Sequence, residues 1–215
     1  MRPRSTRPPA RTSTRSPSGP ATAAGAPITG HASHEVRIIG GQWKRSKLKV
    51  LDKPGLRPTP DRVRETLFNW LGQDLTGWRC LDAFAGTGVL GFEAASRGAQ
   101  QVLMCEQDAA LVTQLTDSKI RLKALAVQVQ RSDAVMALQR TPAGTLDLIF
   151  LDPPFDGTLF APALQAASQA VAPGGWIYLE APALWTDEQL LPWYLSVKRH
   201  LKAGAVHAHL LQKKA

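Results

Sequence analysis

Cysteine and long apolar runs are scarce in this sequence of 215 residues. The two cysteines, Cys80 and Cys105, stand in apolar segments without a CxxC or Cys–His spacing, so we expect buried thiols in a reducing compartment. No apolar run reaches the ~18 residues of a membrane-spanning helix, which predicts a protein without a membrane partner. The five histidines show no zinc-ligand spacing, and we therefore expect no metal.

Acidic residues are also few, and the charge is unevenly distributed. The chain has 17 Asp and Glu against 26 Lys and Arg, a formal net charge of +9. Residues 1–34 contribute +5 and residues 36–64 contribute +7, so the remainder is mildly acidic. A basic front on a mildly acidic body indicates a polyanionic partner bound by the front.

Composition divides the chain into three parts. Residues 1–34 are rich in Arg, Ser, Thr, Pro, Ala and Gly, which predicts a disordered basic tail. A transit peptide is the alternative, but prolines oppose the amphipathic helix it needs. Residues 35–72 predict a hairpin (36–43 and 47–50) and then a helix capped by Thr59. Residues 73–215 form the third part.

Strand and helix patterns alternate from residue 79 onward. Strands are predicted at residues 79–84, 101–106, 126–130, 146–152 and 175–180, and helices at 88–97, 108–124, 133–140 and 158–171. This alternation predicts a parallel sheet with right-handed crossovers. The last two strands, 193–199 and 205–211, have no helix between them, so Gly204 is predicted to turn an antiparallel hairpin.

The most informative segment ends in Asp152-Pro-Pro-Phe155. The preceding apolar run predicts a buried strand, which must stop at Pro153 and Pro154 because proline cannot donate to a sheet. Asp152 and Phe155 would then be held together at the strand's carboxyl end. A ring that stacks and a carboxylate that accepts from an exocyclic amine suit a nucleobase. The alternative is a plain strand end followed by a proline-rich turn.

A second group of polar residues lies at the ends of earlier strands. Gly86-Thr-Gly-Val-Leu-Gly91 matches the dinucleotide pattern GxGxxG, yet the carboxylate of Asp82 would repel a pyrophosphate and attract a cationic amino acid. Glu106 can accept from ribose hydroxyls, and Asp133 can accept from an adenine amine or simply cap a helix. The combination predicts S-adenosylmethionine as cofactor, bound by Asp82, Phe84, Gly86, Gly88, Glu106 and Asp133.

Five stretches together resemble the RsmD family, bacterial methyltransferases that modify guanine N2 in small-subunit ribosomal RNA. The resemblance covers residue 36 to the C-terminus, although Val206-His-Ala-His is more polar than is usual in that family. The stretches are Arg37-Ile-Ile-Gly-Gly-Gln-Trp43, Gly55 to Leu71, Leu81 to Gly88, Glu93-Ala-Ala-Ser-Arg-Gly98 and Asp152 to Phe155.

The resemblance implies an α/β fold of the Rossmann-like class I methyltransferase type. Its sheet would have seven mostly parallel strands with an antiparallel last strand, preceded by a small hairpin and helix. The resemblance also implies S-adenosylmethionine as cofactor and 16S ribosomal RNA as partner, in an assembled or assembling small subunit. It places the target base at Asp152, Pro153, Pro154 and Phe155. We expect a cytoplasmic monomer.

Basic side chains of the N-terminal part are predicted to bind RNA phosphates. They are Arg37, Lys44, Arg45, Arg57, Arg62 and Arg64. Arg62 and Arg64 cannot face the same way on one helix, so one of them is expected to pair with an acid instead. Three alternatives remain open: an adenine-N6 or glutamine methyltransferase of the same fold, a non-catalytic RNA-binding module, and an NAD-dependent oxidoreductase.

Overall fold

The computed structural model describes residues 34–155 and 157–214. The predicted basic tail lies outside this range except for residue 34. The described residues all belong to one compact unit. The predicted division into an RNA-facing part (35–72) and a methyltransferase part (73–215) therefore stays a prediction about the roles of the two segments.

The strands of the described residues are β1 His34–Arg37, β2 Lys47–Val50, β3 Arg79–Asp82, β4 Gln101–Glu106, β5 Val127–Arg131, β6 Leu146–Leu151, β7 Val171–Ala181, β8 Leu195–Ala203 and β9 Val206–Lys213. Seven of them form the central sheet, in the spatial order β5-β4-β3-β6-β7-β9-β8. Strand β9 runs opposite to the other six, which confirms the predicted mostly parallel sheet with an antiparallel last strand. A separate two-stranded antiparallel sheet, β1 with β2, precedes it.

Helices cover both faces of the sheet, as right-handed crossovers between parallel strands require. The helices are α1 Asp61–Leu71, α2 Val89–Ser96, α3 Ala109–Leu122, α4 Ala134–Arg140, α5 Phe160–Ala170 and α6 Asp187–Leu190, followed by a 3-10 turn at Leu191–Trp193. One face of the sheet packs against α1, α2 and α3, and the other against α4, α5 and α6. Within the described ranges, none of these helices has the length and apolar character needed to cross a bilayer.

Several predicted bounds are wrong, each for a local reason. The first hairpin strand ends at Arg37 rather than residue 43, because the loop that follows turns away and Gln42 N–H donates to the Ser96 carbonyl on α2. Thr59 does not cap α1, whose N-cap is Pro60. Strand β7 begins directly after α5, four residues earlier than predicted. Helix α6 was missed, although its capping box is visible in the sequence as Thr186 and Gln189.

A buried ionic cluster attaches the N-terminal segment to α2. The Glu93 carboxylate, fully buried, accepts from the Ile39 backbone N–H at 2.7 Å and from the guanidinium groups of Arg64 and Arg97. The Arg97 guanidinium also lies 4.0 Å from the centre of the Phe68 ring, a cation–π contact. One carboxylate therefore holds the loop after β1, helix α1 and helix α2 together.

Gly41, in the loop after β1, also helps to attach the N-terminal segment to α2. Its φ is +72°, and a Cβ there would lie 1.9 Å from the Ser96 carbonyl oxygen. Glycine is thus required both by the left-handed backbone and by the close approach to α2. The Arg-Ile-Ile-Gly-Gly stretch has a structural role that we had not predicted.

Candidate active site at the carboxyl edge of the sheet

The loop between β3 and α2 forms one side of the candidate site. Asp82, buried at the end of β3, accepts from the Gly91 N–H at 3.0 Å, so the carboxylate ties the strand to the first turn of α2. Burial raises the pKa of Asp82 to about 7; the Gly91 hydrogen bond opposes the rise and the charge of Glu106 adds to it. A cationic group at this position would favour the ionised carboxylate.

Gly88 shapes the tight turn of this loop. Its φ is +76°, and a Cβ there would lie 2.3 Å from Leu115 Cδ2 and 3.0 Å from the Phe92 ring. The position therefore needs glycine, because a side chain would be both strained and crowded. Phe84, half-buried in the same loop, packs on the core beside α4 and α5.

Glu106 ends the next strand and clamps the glycine loop. One carboxylate oxygen accepts from the Gly86 N–H at 2.9 Å, and the other accepts from the N–H groups of Gln107 and Asp108. A carboxylate held by backbone amides has a defined orientation at the strand end. Its predicted contact with a ribose stays a prediction.

Asp133, after β5, has the helix-capping geometry that was its alternative explanation. One oxygen accepts from the Met136 N–H at 2.9 Å at the start of α4. The other accepts from the side-chain amide of Gln107 at 2.7 Å. Gln107 was not among the predicted residues, and it lies exposed between Glu106 and Asp133. Three acids thus stand at the carboxyl ends of neighbouring strands β3, β4 and β5, the edge where open α/β sheets bind ligands.

The predicted base site follows β6, and β6 is the direct neighbour of β3. Asp152 is half-buried, Pro153 is buried, and Pro154 and Phe155 are exposed. The Phe155 ring is 42% exposed and its centre lies 6.4 Å from that of the Phe160 ring. Burial raises the pKa of Asp152 well above its ordinary value, and the charges of Glu180 and then Asp82 raise it further.

Sequence reasoning missed a polar group beside Asp152. Glu180, near the end of β7, is only 4% exposed and accepts from the hydroxyl of fully buried Tyr178 at 2.8 Å. Burial raises the pKa of Glu180, while the Tyr178 hydroxyl and the nearby side chain of Thr59 oppose the rise. The signal was present, because Ile177-Tyr-Leu-Glu180 is an apolar strand ending in an acid like the others.

The predicted RNA-binding residues divide into two groups. Lys44, Arg45, Arg57 and Arg62 are exposed, and Arg37 is exposed with an ion pair of 3.0 Å to Asp61. The prediction that Arg64 binds RNA phosphates is wrong. Its side chain is fully buried against Glu93 and Asp61, so it presents no surface to a phosphate. Arg64 is therefore the member of the Arg62 and Arg64 pair that binds an acid.

A cleft of about 470 Å³ opens between the hairpin and the segment before α1. Its lining includes Arg37 and Lys47 on the hairpin and Thr59 and Asp61 on the opposite wall. Since Thr59 lies close enough to Glu180 to lower the pKa of its carboxyl group, one wall of the cleft extends toward the candidate base site.

Strands β8 and β9 bring three histidines together that are separated in sequence. His200 Nε2 lies 3.0 Å from His207 Nδ1, and the ring of His209 is stacked beside them. His209 uses Nε2 to accept from the Trp185 N–H and Nδ1 to contact the Leu179 carbonyl, and burial lowers its pKa to about 4. Of the three rings, only those of His200 and His207 are therefore accessible to a ligand. The expectation of no metal stays a prediction.

Sequence comparisons identify similar proteins over most of the chain. A family model described as conserved hypothetical protein 95 matches residues 36–212. Ribosomal RNA small subunit methyltransferase D of Escherichia coli is 40% identical over 191 residues, which cover 85% of this chain and 92% of that protein. The Haemophilus influenzae protein of the same name is 42% identical over 157 residues, covering 71% and 81%.

Solved structures show the same architecture. A structure from Escherichia coli assigned as the methyltransferase yhhF has 38% identity and a TM-score of 0.74, with 85% of this chain and 99% of that chain covered. A Thermus thermophilus 16S rRNA N2 methyltransferase, in complex with AdoMet and guanosine, has 26% identity and a TM-score of 0.56. That match covers 86% of this chain and 46% of the other.

Proposed function

The chain belongs to the RsmD family, whose model is described as conserved hypothetical protein 95, and from that membership we propose that it transfers a methyl group from S-adenosylmethionine to guanine N2 in small-subunit ribosomal RNA. One observation carries the proposal. Strands β3 and β6 are hydrogen-bonded neighbours, so the Asp82 loop and the Asp152-Pro-Pro-Phe155 corner meet at one edge of the sheet. A donor and an acceptor bound there would lie side by side.

The residues at this edge fit S-adenosylmethionine. Asp82 offers a buried carboxylate that a cationic amino-acid group would stabilise in its ionised form, and the turn at Gly88 admits only a backbone without a Cβ. Glu106 and Asp133 place acceptor oxygens at the next two strand ends, where a ribose diol and an adenine amine need them. When bound, the cofactor supplies an electrophilic methyl group whose bond to sulfur breaks with both electrons remaining on sulfur.

The acceptor side suits a purine amine. The exposed ring of Phe155 can stack on an unpaired or flipped base. Asp152 and the carbonyl of Pro153 can then accept hydrogen bonds from the exocyclic amine. These bonds draw the N2 lone pair out of conjugation, direct it at the methyl carbon and stabilise the positive charge that develops on nitrogen. Holding both reactants in line contributes at most ~7–11 kcal/mol in the best intramolecular models.

Guanine rather than adenine is favoured by two observations. The residue at position 152 is an aspartate, whose ionised form accepts from an amine and does not donate to a ring nitrogen, whereas an asparagine can do both. The Thermus thermophilus relative acts at N2 and was solved with guanosine. The adenine-N6 alternative keeps the same site and differs only in the base that the corner admits.

The exposed basic side chains of the N-terminal segment would bind the RNA backbone. Lys44, Arg45, Arg57 and Arg62 lie on the hairpin turn, the following loop and α1. Phosphate contacts of this kind position a substrate without reading its sequence. We therefore propose residues 35–72 as the RNA-facing part and residues 73–215 as the methyltransferase part of a monomer that acts on small subunits in the cytoplasm.

Methylation of isolated small-subunit particles with labelled cofactor tests the proposal. Label is expected in the ribosomal RNA of particles from cells that lack this activity, and nuclease mapping is expected to find N2-methylguanine at one position. Particles from cells that carry the activity are the matched control and should take up little label. Label found as N6-methyladenine or in protein would contradict the proposed acceptor.

A further inference from the structure

We propose that Glu180 is a second carboxylate of the acceptor site, a positioning residue that shares one proton with Asp152 and is itself held in place by Tyr178. The proposal rests on the methyl transfer proposed above. It adds the group that lets Asp152 receive the proton released by the guanine amine, which neither the sequence nor the family resemblance identifies.

Strand register places the two carboxylates side by side. In the parallel pair β6 and β7, Phe150 lies beside Tyr178 and Leu151 beside Leu179. The next residues are Asp152 and Glu180. Side chains alternate along a strand, so both acids project on the face that carries Phe150 and Tyr178, whose ring centres are 6.3 Å apart.

The Tyr178 hydroxyl orients the Glu180 carboxylate. It lies on the same strand, is fully buried and donates to Glu180 Oε1 at 2.8 Å. Thr59, in the segment before α1, lies close enough to Glu180 to lower its pKa. A buried carboxylate with a fixed donor has little freedom to rotate, and Thr59 brings the RNA-facing segment near it.

The charges around the pair favour one shared proton. Asp82 faces the pair from β3, and its charge, like that of Glu180, raises the pKa of Asp152. Across the sheet from Glu180, β9 contributes only Ala208. On the α1 side, Arg64 donates to the Thr59 carbonyl at 2.9 Å and is already paired with Glu93 and Asp61. Within residues 34–155 and 157–214, neither Asp152 nor Glu180 forms an ion pair, and two adjacent carboxylates without such a partner cannot both ionise freely.

A shared proton suits the chemistry of the step. The guanine N2 lone pair forms the new bond to the methyl carbon, and the nitrogen then carries a positive charge. Its N–H bond breaks with the electron pair left on nitrogen, and the proton passes to Asp152. The carboxyl pair changes from a charge of −1 to neutral as the positive charge delivered with the methyl group disappears. No net charge is left in the buried site.

Glu180→Gln tests the proposal through the pH dependence of single-turnover methylation. We expect the rate to fall about 10- to 100-fold while the Kd for S-adenosylmethionine, measured by calorimetry, stays within twofold of wild type. Loss of the neighbouring charge lowers the pKa of Asp152, so the acidic limb of the profile should move to lower pH by about half a unit or more. The exposed Glu188→Gln on α6 is the matched control and should leave rate and limb unchanged.

The outcomes separate this proposal from the proposed function. Wild-type protein that leaves small-subunit particles unmethylated would refute the function itself. Active wild-type protein together with an unmoved limb in Glu180→Gln would refute the role of Glu180. If that variant fails to fold, carbon-13 titration of the carboxyl groups in wild-type protein decides. Two coupled steps for Asp152 and Glu180 support the proposal, and two independent titrations near pH 4 overturn it.

Discussion

Replacing Glu93 with alanine is expected to lower the free energy of unfolding by about 3–5 kcal/mol. The magnitude follows from the contacts. Glu93 is fully buried, its side chain accepts from Arg64, Arg97 and the Ile39 N–H, and both guanidinium groups are almost fully buried. Removing the carboxylate leaves two buried cations without their shared partner. A chain of this size would lose about 2–4 °C in Tm per kcal/mol, or about 6–20 °C in all.

Urea unfolding followed by tryptophan fluorescence measures this loss. Glu65→Ala, on the exposed side of α1, is the matched control and should change stability by no more than about 0.5 kcal/mol. A double-mutant cycle with Arg97→Met would show coupling between the two positions, because the buried charges are removed together. A loss below about 1 kcal/mol for Glu93→Ala would refute the reasoning, since exposed ion pairs contribute that much at most.

Three further predictions concern the site. Asp152→Ala should reduce methyl transfer more than tenfold in single-turnover assays and leave the Kd for S-adenosylmethionine within about twofold; turnover within tenfold of wild type would contradict its role. Reversing charge at Lys44 and Arg45 to glutamate should weaken binding to small-subunit RNA and flatten its dependence on salt concentration, measured by filter binding, and an unchanged slope would rule out those phosphate contacts. Because burial raises the pKa of Asp82 to about 7, the free protein carries this acid largely neutral below pH 7 and ionised above it. Calorimetric affinity for S-adenosylmethionine should therefore fall between pH 8 and pH 6 in the wild type, and Asp82→Asn should bind weakly with little pH dependence; equal pH dependence in both proteins would contradict a contact with the cationic amino group.

Local signals made the sheet and its polar edge predictable. Pro153 and Pro154 cannot donate to a ladder, so they end β6 wherever the chain places it. The turn at Gly88 needs a positive φ, which only glycine adopts readily. These constraints act within a few residues. For that reason the succession of strands and helices along the chain, the acids at the strand ends and the Asp152–Phe155 corner could be predicted without coordinates.

The partners of buried polar groups depend on contacts between segments that are distant in the sequence. In the sequence, Arg64 cannot be distinguished from the other cations of the basic segment. It is buried because Glu93, 29 residues later, lies on a helix that packs against α1. His200 and His207 meet only because β8 and β9 pair. Such contacts depend on which elements become neighbours, and that choice is made by packing across the whole core.

The sequence by itself determined which residues stand at the carboxyl ends of the strands, because hydrophobic periodicity, prolines and glycines act locally. The tertiary structure alone decided which of those ends are adjacent. Asp152 receives Glu180 as its neighbour through the register of β6 with β7. Tyr178, two residues before Glu180, then orients the Glu180 carboxylate, because both side chains lie on the same face of β7. The physical reason is that a buried carboxylate depends on the groups that surround it in space, whatever their separation in sequence.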